Sequence, residues 1–389
     1  MKILYITFEN LSLHKGSVVH VRETVDGLQK LGHQVGLIAR TQAKCGEGDH
    51  FYDLHRGARL KGPHYLISSV SLFFYLLRLL PSYRIIYVRD FYAVIIAMLP
   101  RFIFRRKLVF EINGIAHEEQ RLKGHSLFNR ISASAIQKAE KMAARCSDRI
   151  VSVTPQIASY LIQNFNCQPD KIEIVGNGVN TKRFYPIHDK TVLSEWRRRF
   201  GIDPEDRVIA FIGNLALWQG VNILIESAPR LLSMNYRLKF LIVGDGILKA
   251  NLIKKVSETG LEKAFIFAGM VDHNEIPFFI NIADICVAPF ISARNQKTGL
   301  SPLKVYEYMA CGKPVISSRI ESLEWIEEEG AGQLIEPDDP IGLEEALSDL
   351  IKDPQRRRCM GRTGLQIVRE KFDWESKVVQ IERILCELA

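Results

Sequence analysis

Short apolar runs alternate along the chain with longer stretches in which apolar positions recur every three or four residues. The runs predict strands at Ile3–Phe8, Val35–Ala39, Ile85–Val88, Leu108–Ile112, Ile150–Val153 and Ile172–Val175. They resume at Val208–Ile212, Phe240–Val243, Phe265–Phe267, Ile285–Ala288 and Val315–Ser317. Unbroken apolar strands separated by helical patterns mean parallel sheets covered on both faces. The pattern lapses over "RFYPIHDKTVLSEWRRRFGIDPEDR" and then restarts. The expectation is an α/β chain of two doubly wound domains, residues 1–183 and 184–371. Ligands in such sheets sit beyond the C-terminal strand ends, so the loops of the two domains should face each other across a cleft.

Composition narrows the class. The chain has 389 residues, 47% hydrophobic and 25% charged, as ordinary globular enzymes are. "MKILYITFEN" reads as a buried first strand rather than a leader. The longest apolar run, Tyr65 to Leu80, includes three serines and an arginine and falls short of the ~20 residues of a membrane span, so a buried or interfacial helix is expected there. Seven scattered cysteines without a Cys-x-x-Cys pair argue for reduced thiols in the cytoplasm and against zinc or disulfides.

Charge is uneven. Residues 1–190 hold 27 Lys and Arg against 15 Asp and Glu, and residues 191–389 hold 25 against 29. A basic first half suits an anionic partner. Its densest cluster, "RFIFRRK", sets Arg101, Arg105, Arg106 and Lys107 among Phe102, Ile103 and Phe104. That suggests an anionic membrane surface, not nucleic acid. Attachment to the inner face of the cell membrane is therefore the expectation. Solvated helix faces are the plainer alternative.

Five loops carry candidate chemistry. After the first strand, Gly16 allows close backbone approach and Ser17 is placed to cap a helix whose free N–H groups suit a phosphate or sugar oxygen. Gly176-Asn177-Gly178 allows positive φ at a domain edge. Gly213-Asn214 and Gln219 follow the strand that opens the second domain. Gly244-Asp245-Gly246 lacks the spacing of a dinucleotide fingerprint and reads as a turn with a capping aspartate. In "SPLKVYEYMACGKPV", Ser301 is expected as N-cap, Pro302 at the first helical position, and Gly312 as the stop. Lys304 then falls in the first turn, where the helix dipole already presents positive charge, and Glu307 follows on the same face. A diphosphate would satisfy the N–H groups and the ammonium together, and Glu307 would hold a ribose diol. An exposed ion pair is the alternative.

In order and spacing, these motifs resemble glycosyltransferase family 4 over nearly the whole chain. The resemblance rests on the Gly16 loop with "LGHQV", "SDRIVSVTPQI", "VGNGVNTKRFYP", "FIGNLALWQGVNILI", "VGDG", "FAGMVDHNEIPFFINIADICVAPF" and "LKVYEYMACGKPVIS". It implies a GT-B fold of two Rossmann-like domains, with helix 372–389 returning to the first. It implies retaining, metal-independent transfer from a nucleotide-diphosphate sugar of UDP or GDP type, and no cofactor. The acceptor, a lipid-linked or cell-surface glycan, would bind the first domain and the donor the second.

Residue by residue the match is partial. Glu307 falls on the second member of the family's paired-glutamate motif, and Gly299 on the first. Asn214 and Gln219 stand where the family has an Arg and a Lys that grip the diphosphate. Lys304 is the expected substitute, helped by Arg294 or Lys297. The resemblance places the base near Gly269, Met270 and Val271, and further donor contacts at Gly213, Gly244, Leu300 and Ser301. Asn113 takes the place of a common histidine among the catalytic positions, and Arg89, His117 and Glu118 are expected on the acceptor side. A non-catalytic binder of nucleotide-sugar or membrane, or an epimerase of the same fold, are the alternatives.

Overall fold

A computed structural model describes residues 1–13, 15–41, 50–54, 63–121, 126–234, 236–292, 295 and 299–389, with 63–67 by their backbone. Contacts divide the chain into two compact units, Met1–Asn177 with Trp374–Ala389, and Gly178–Asp373. The first crossing lies six residues before the boundary read from the sequence.

Unit 1 holds a parallel sheet. Its strands are β1 Lys2–Asn10, β2 Gln34–Arg40, β3 Phe51–Asp53, β4 Ile85–Val88, β5 Lys107–Ile112, β6 Arg149–Ser152 and β7 Ile172–Ile174. The spatial order is β3-β2-β1-β4-β5-β6-β7. Alternate residues go to opposite faces, as strand geometry requires. Leu4, Ile6, Ile86 and Val88 pack with Leu72 and Leu76 of helix Pro63–Leu79 and with Val94 of helix Phe91–Ile103. Ile3, Tyr5, Ile85 and Tyr87 pack with Val21 and Val25 of helix Gly16–Lys30 and with Val378 and Ile381 of helix Trp374–Leu388.

Unit 2 repeats the plan with β8 Arg207–Ile212, β9 Leu238–Val243, β10 Phe265–Gly269, β11 Ile285–Ala288, β12 Val315–Ser318 and β13 Gly332–Ile335, in the order β10-β9-β8-β11-β12-β13. Val208 and Ala210 face Phe279, Val305 and Met309, whereas Ile209 and Phe211 face Leu224, Ile225 and Leu343. β3 and β13 are additions to the elements predicted from sequence. Three or four residues without a long apolar run give too weak a periodic signal to be read. Among the described residues no helix is long and apolar enough to cross a membrane.

Candidate functional site

In unit 2 the loops after β8, β9 and β10 are stitched side by side. Gly213 N–H donates to Val243 O at 2.9 Å, Gly244 N–H to Gly269 O at 2.8 Å and Leu215 N–H to Asp245 O at 2.9 Å. Gly213 (φ 151°) and Gly244 (φ 131°) take backbone conformations open to glycine. A Cβ on Gly244 would run into the Gly213 carbonyl, and one on Gly213 would lie 2.7 Å from Lys304 Nζ. The glycines thus bring backbone and ammonium together.

Lys304 sits on helix Leu303–Ala310. The helix buries Val305, Tyr306, Tyr308 and Met309 against the sheet. It ends as expected at Gly312 (φ 69°), with Gly312 N–H on Met309 O and Lys313 N–H on Tyr308 O. Its start differs from the sequence reading. Pro302 is the N-cap, in extended conformation, and no side chain caps the helix. Ser301 Oγ lies instead 3.4 Å from Tyr306 OH. Proline pre-sets its own φ and needs no N–H, so it can take the cap position and push the helix one residue on. Lys304 is then the second helical residue, still among the free N–H groups.

The half-buried Lys304 ammonium donates to Gln219 Oε1 at 2.5 Å. It lies 3.9 Å from the Phe211 ring centroid and 5.5 Å from that of Phe290. Among the described residues no ion pair joins it to Glu307, contrary to the surface-pair alternative; the two are coupled at longer range. Burial pushes Lys304 down to about 7, against the opposing pull of Glu307. Burial likewise pushes Glu307 up to about 7, opposed by Lys304 and Arg183. An anion arriving at Lys304 would restore its charge.

The remaining donor-side positions are dispersed around these loops. Asn214 is exposed and Gln219 half-buried. Gly269 (φ 74°) ends β10, with Met270 exposed and Val271 half-buried beyond it. Gly299 (φ 64°) is buried, and Leu300 N–H donates to Ser322 Oγ at 2.7 Å. Arg294 and Lys297 lie outside the described residues. Asp245 caps no helix; it accepts from Gly246 N–H at 2.8 Å and pairs with Lys249 at 2.8 Å. Two residues escaped the sequence reading. Arg183, in "NTKRFYP", is near enough to Glu307 to favour its ionised form, and Tyr308 ties the lysine helix to β8.

Unit 1 corrects more of the sequence reading. Ser17 does not cap helix Gly16–Lys30, whose N-cap is Lys15 without a side-chain bond. The Ser17 carbonyl accepts from Arg89 at 2.8 Å, and Gly16 is exposed. Gly176 and Gly178 do not adopt positive φ. Arg89, expected on the acceptor side, is buried and pairs through Nε with Glu111 Oε1 at 3.0 Å. His117 is fully buried: Nδ1 bonds Glu140 at 2.5 Å and Nε2 bonds Tyr160 OH at 2.8 Å. Glu140 also accepts from the N–H groups of Ala116 and His117, so this cluster anchors helix Ala116–Arg121. Glu118 pairs with Arg121 at 2.8 Å, and Asn113 is exposed just past β5.

Most of the basic cluster is committed to partners within the unit. Arg101 and Lys107 pair with Asp148 at 3.1 and 3.6 Å, and Arg106 donates to the carbonyls of Leu80 and Pro81. Arg105 (φ 51°) is exposed. Around it the surface is apolar. Phe102 is 82% exposed, and Ile103, Leu99, Phe74 and Val70 are exposed on the same two helices. A groove of about 520 Å³ between these helices is lined by Ser69, Val70, Phe73, Phe74, Ile95, Ile96 and Leu99. Among the described residues no three His, Cys, Asp or Glu side chains gather as a metal site requires.

Comparison with known proteins bears on the family and the fold. A family model described as glycosyl transferases group 1 matches residues 193–366, and one described as glycosyltransferase family 4 matches residues 14–183. An uncharacterized glycosyltransferase of Methanocaldococcus jannaschii is 23% identical over 399 aligned positions, covering 100% of this chain and 99% of its own. Alignments to D-inositol 3-phosphate glycosyltransferases, at 23–27% identity, cover only 50–58% of those chains. Sucrose-phosphate synthase from Thermosynechococcus elongatus has a TM-score of 0.81 at 19% identity, over 100% of this chain and 98% of that one. HepE of Anabaena, solved with UDP-glucose, has a TM-score of 0.76 at 18% identity, over 100% of both chains. The fold is GT-B, two Rossmann-like α/β domains.

Proposed function

The chain belongs to glycosyltransferase family 4, and we propose that it moves a sugar from a nucleotide-diphosphate sugar to an acceptor hydroxyl, with retention and without a metal. The observation that carries this reading is the junction of Lys304 with the Gly213 loop. Breaking the glycosyl–oxygen bond leaves its electron pair on the diphosphate. Without a metal, fixed donors must meet that charge. The free N–H groups at the start of helix Leu303–Ala310, the Lys304 ammonium and the adjoining Gly213–Asn214 loop would supply them, and the closeness of Lys304 to Gly213 supports this. Gln219 holds the ammonium in place without neutralising it. Glu307, one turn deeper and 8% exposed, would accept from the ribose diol.

The acceptor is proposed to be lipid-linked or a cell-surface glycan in polysaccharide synthesis, reached at an anionic membrane surface from the cytoplasmic side. The apolar exposure of Phe74, Leu99 and Phe102 beside Arg105, in the basic half of the chain, supports this.

The test is release of nucleoside diphosphate from UDP-, GDP- and ADP-sugars in the presence of membrane lipid extract and excess EDTA, with the product anomer read by NMR. Activity that EDTA abolishes and Mn²⁺ or Mg²⁺ restores would overturn the metal-free reading, and an inverted anomer would overturn retention. Donor binding without release would favour a non-catalytic binder.

A further inference from the structure

A buried charged cluster in unit 1 has no part in the proposed chemistry. Glu111, on β5, is fully buried. Its Oε1 meets His20 Nε2 at 2.8 Å and Arg89 Nε at 3.0 Å, and its Oε2 accepts from Tyr87 OH at 2.7 Å. Burial alone would raise this carboxyl, but His20 and Arg89 outweigh it and hold Glu111 well below the usual carboxylate range. Enclosed charges of this kind are costly unless fully partnered, and the partnering fixes geometry.

His20 is 3% exposed, and its remaining contacts run to the edges of the unit. Its Nδ1 bonds Asn177 Oδ1 at 2.7 Å. Its ring stands edge-on to Trp374, centroids 5.0 Å apart and planes at 85°. Asn177 is the last residue of unit 1 before the chain enters unit 2, and Trp374 is the first after it returns. The two crossings lie far apart in sequence, yet both meet one imidazole. Just inside unit 2 they also pair with each other. Val179 N–H donates to Phe372 O at 2.8 Å, and Thr181 Oγ1 to Asp373 at 3.0 Å.

We propose that His20, clamped by Glu111, is a positioning residue that fastens both interunit crossings to a single point of unit 1. Glu111 and Arg89 hold the imidazole, the imidazole holds Asn177 and Trp374, and the crossings loosen or hold together. The inference concerns unit 1 alone and does not depend on the donor or acceptor.

The experiment is native-state hydrogen exchange on the full chain, read by mass spectrometry over peptides 174–181 and 372–378, with helix Phe91–Ile103 and β9 as references. His20→Ala should speed exchange in both crossing peptides by about tenfold or more and leave the references near wild type. Asn177→Ala, which leaves Glu111 fully paired, should speed exchange at 174–181 by a smaller factor. Unchanged exchange at the crossings, or an equal rise across all of unit 1, would overturn the proposal, since His20 would then be an ordinary core residue. If His20→Ala fails to fold, Asn177→Ala decides: exchange at 174–181 must rise while the references stay fixed.

Discussion

The hydroxyl of Tyr308 grips the backbone of Ile212 twice, accepting from its N–H at 2.8 Å and donating to its carbonyl at 3.1 Å. Tyr308 is fully buried. The strand that delivers Gly213 and the helix that delivers Lys304 are therefore joined one residue before the glycine. Tyr308→Phe should cost about 1–3 kcal/mol in denaturant unfolding, because buried backbone groups lose their partner. It should also weaken donor binding by letting the Gly213 loop drift from Lys304. A variant with wild-type stability would show that the strand satisfies Ile212 by itself.

Lys304→Met keeps the stem and removes the charge. Its fold should survive, and the apo protein should be no less stable, since the ammonium is half-buried at a helix N-terminus. Turnover should fall by about 10²-fold or more, the scale of one preorganised donor. Turnover within a few-fold of wild type, with loss instead on substituting Arg294 or Lys297, would move the phosphate to that loop.

Glu307 also predicts a pH dependence. Its folded pKa is raised to about 7 from an ordinary value of 4.5. Between those values the folded state holds the extra proton. The associated stability is present below about 4.5 and is lost as pH rises through about 7. Unfolding free energy measured from pH 4.5 to 7.5 should therefore decline for wild type relative to Glu307→Gln, by on the order of 2 kcal/mol. Parallel curves would mean that Glu307 ionises freely in the folded protein. With donor, the same substitution should raise KM more than it lowers kcat, since ribose contacts act in ground and transition states alike.

His117→Ala should unfold at lower denaturant, by about 1–3 kcal/mol, because the buried Glu140 carboxylate loses its imidazole partner and keeps only the two backbone N–H groups. Turnover per folded molecule should change little. A stable His117→Ala protein with lost activity would return this histidine to the acceptor side.

Vesicle binding should be salt-sensitive and confined to anionic lipid. Arg105→Gln should weaken it by about 1 kcal/mol, or about fivefold, and Phe102→Ser should weaken it without touching stability. Equal partition into neutral and anionic vesicles would sink the electrostatic part of the reading.

The sequence disclosed the sheets because a strand buried on both faces must be apolar along its length. It disclosed the positions of Lys304 and Gly312 because a helix has to start and stop in characteristic chemistry. What stayed hidden was pairing at a distance. Arg101 and Lys107 look like a basic surface until Asp148, some forty residues on, is seen between them. His117 looks like a site residue until Glu140 closes over it. Ser17 and Ser301 have the chemistry of caps, yet Lys15 and Pro302 took the positions. Such choices depend on which side chain the tertiary structure brings near, and no local pattern records that.

Helix Trp374–Leu388 supplies Val378, Ile381, Ile384 and Leu385 to the core of unit 1, although all of unit 2 stands before it in the chain. On the ribosome the first unit therefore waits. Its sheet emerges early with helix Gly16–Lys30 on one face but without the apolar side chains that the last helix adds there, while residues 178–373 can close their own core ahead of it. The order of synthesis and the order of completion are inverted. Loss of residues 374–389 would injure the beginning of the protein rather than its end, and a chaperone holding the nascent chain would find its binding surface beside helix Gly16–Lys30 until the last helix docks.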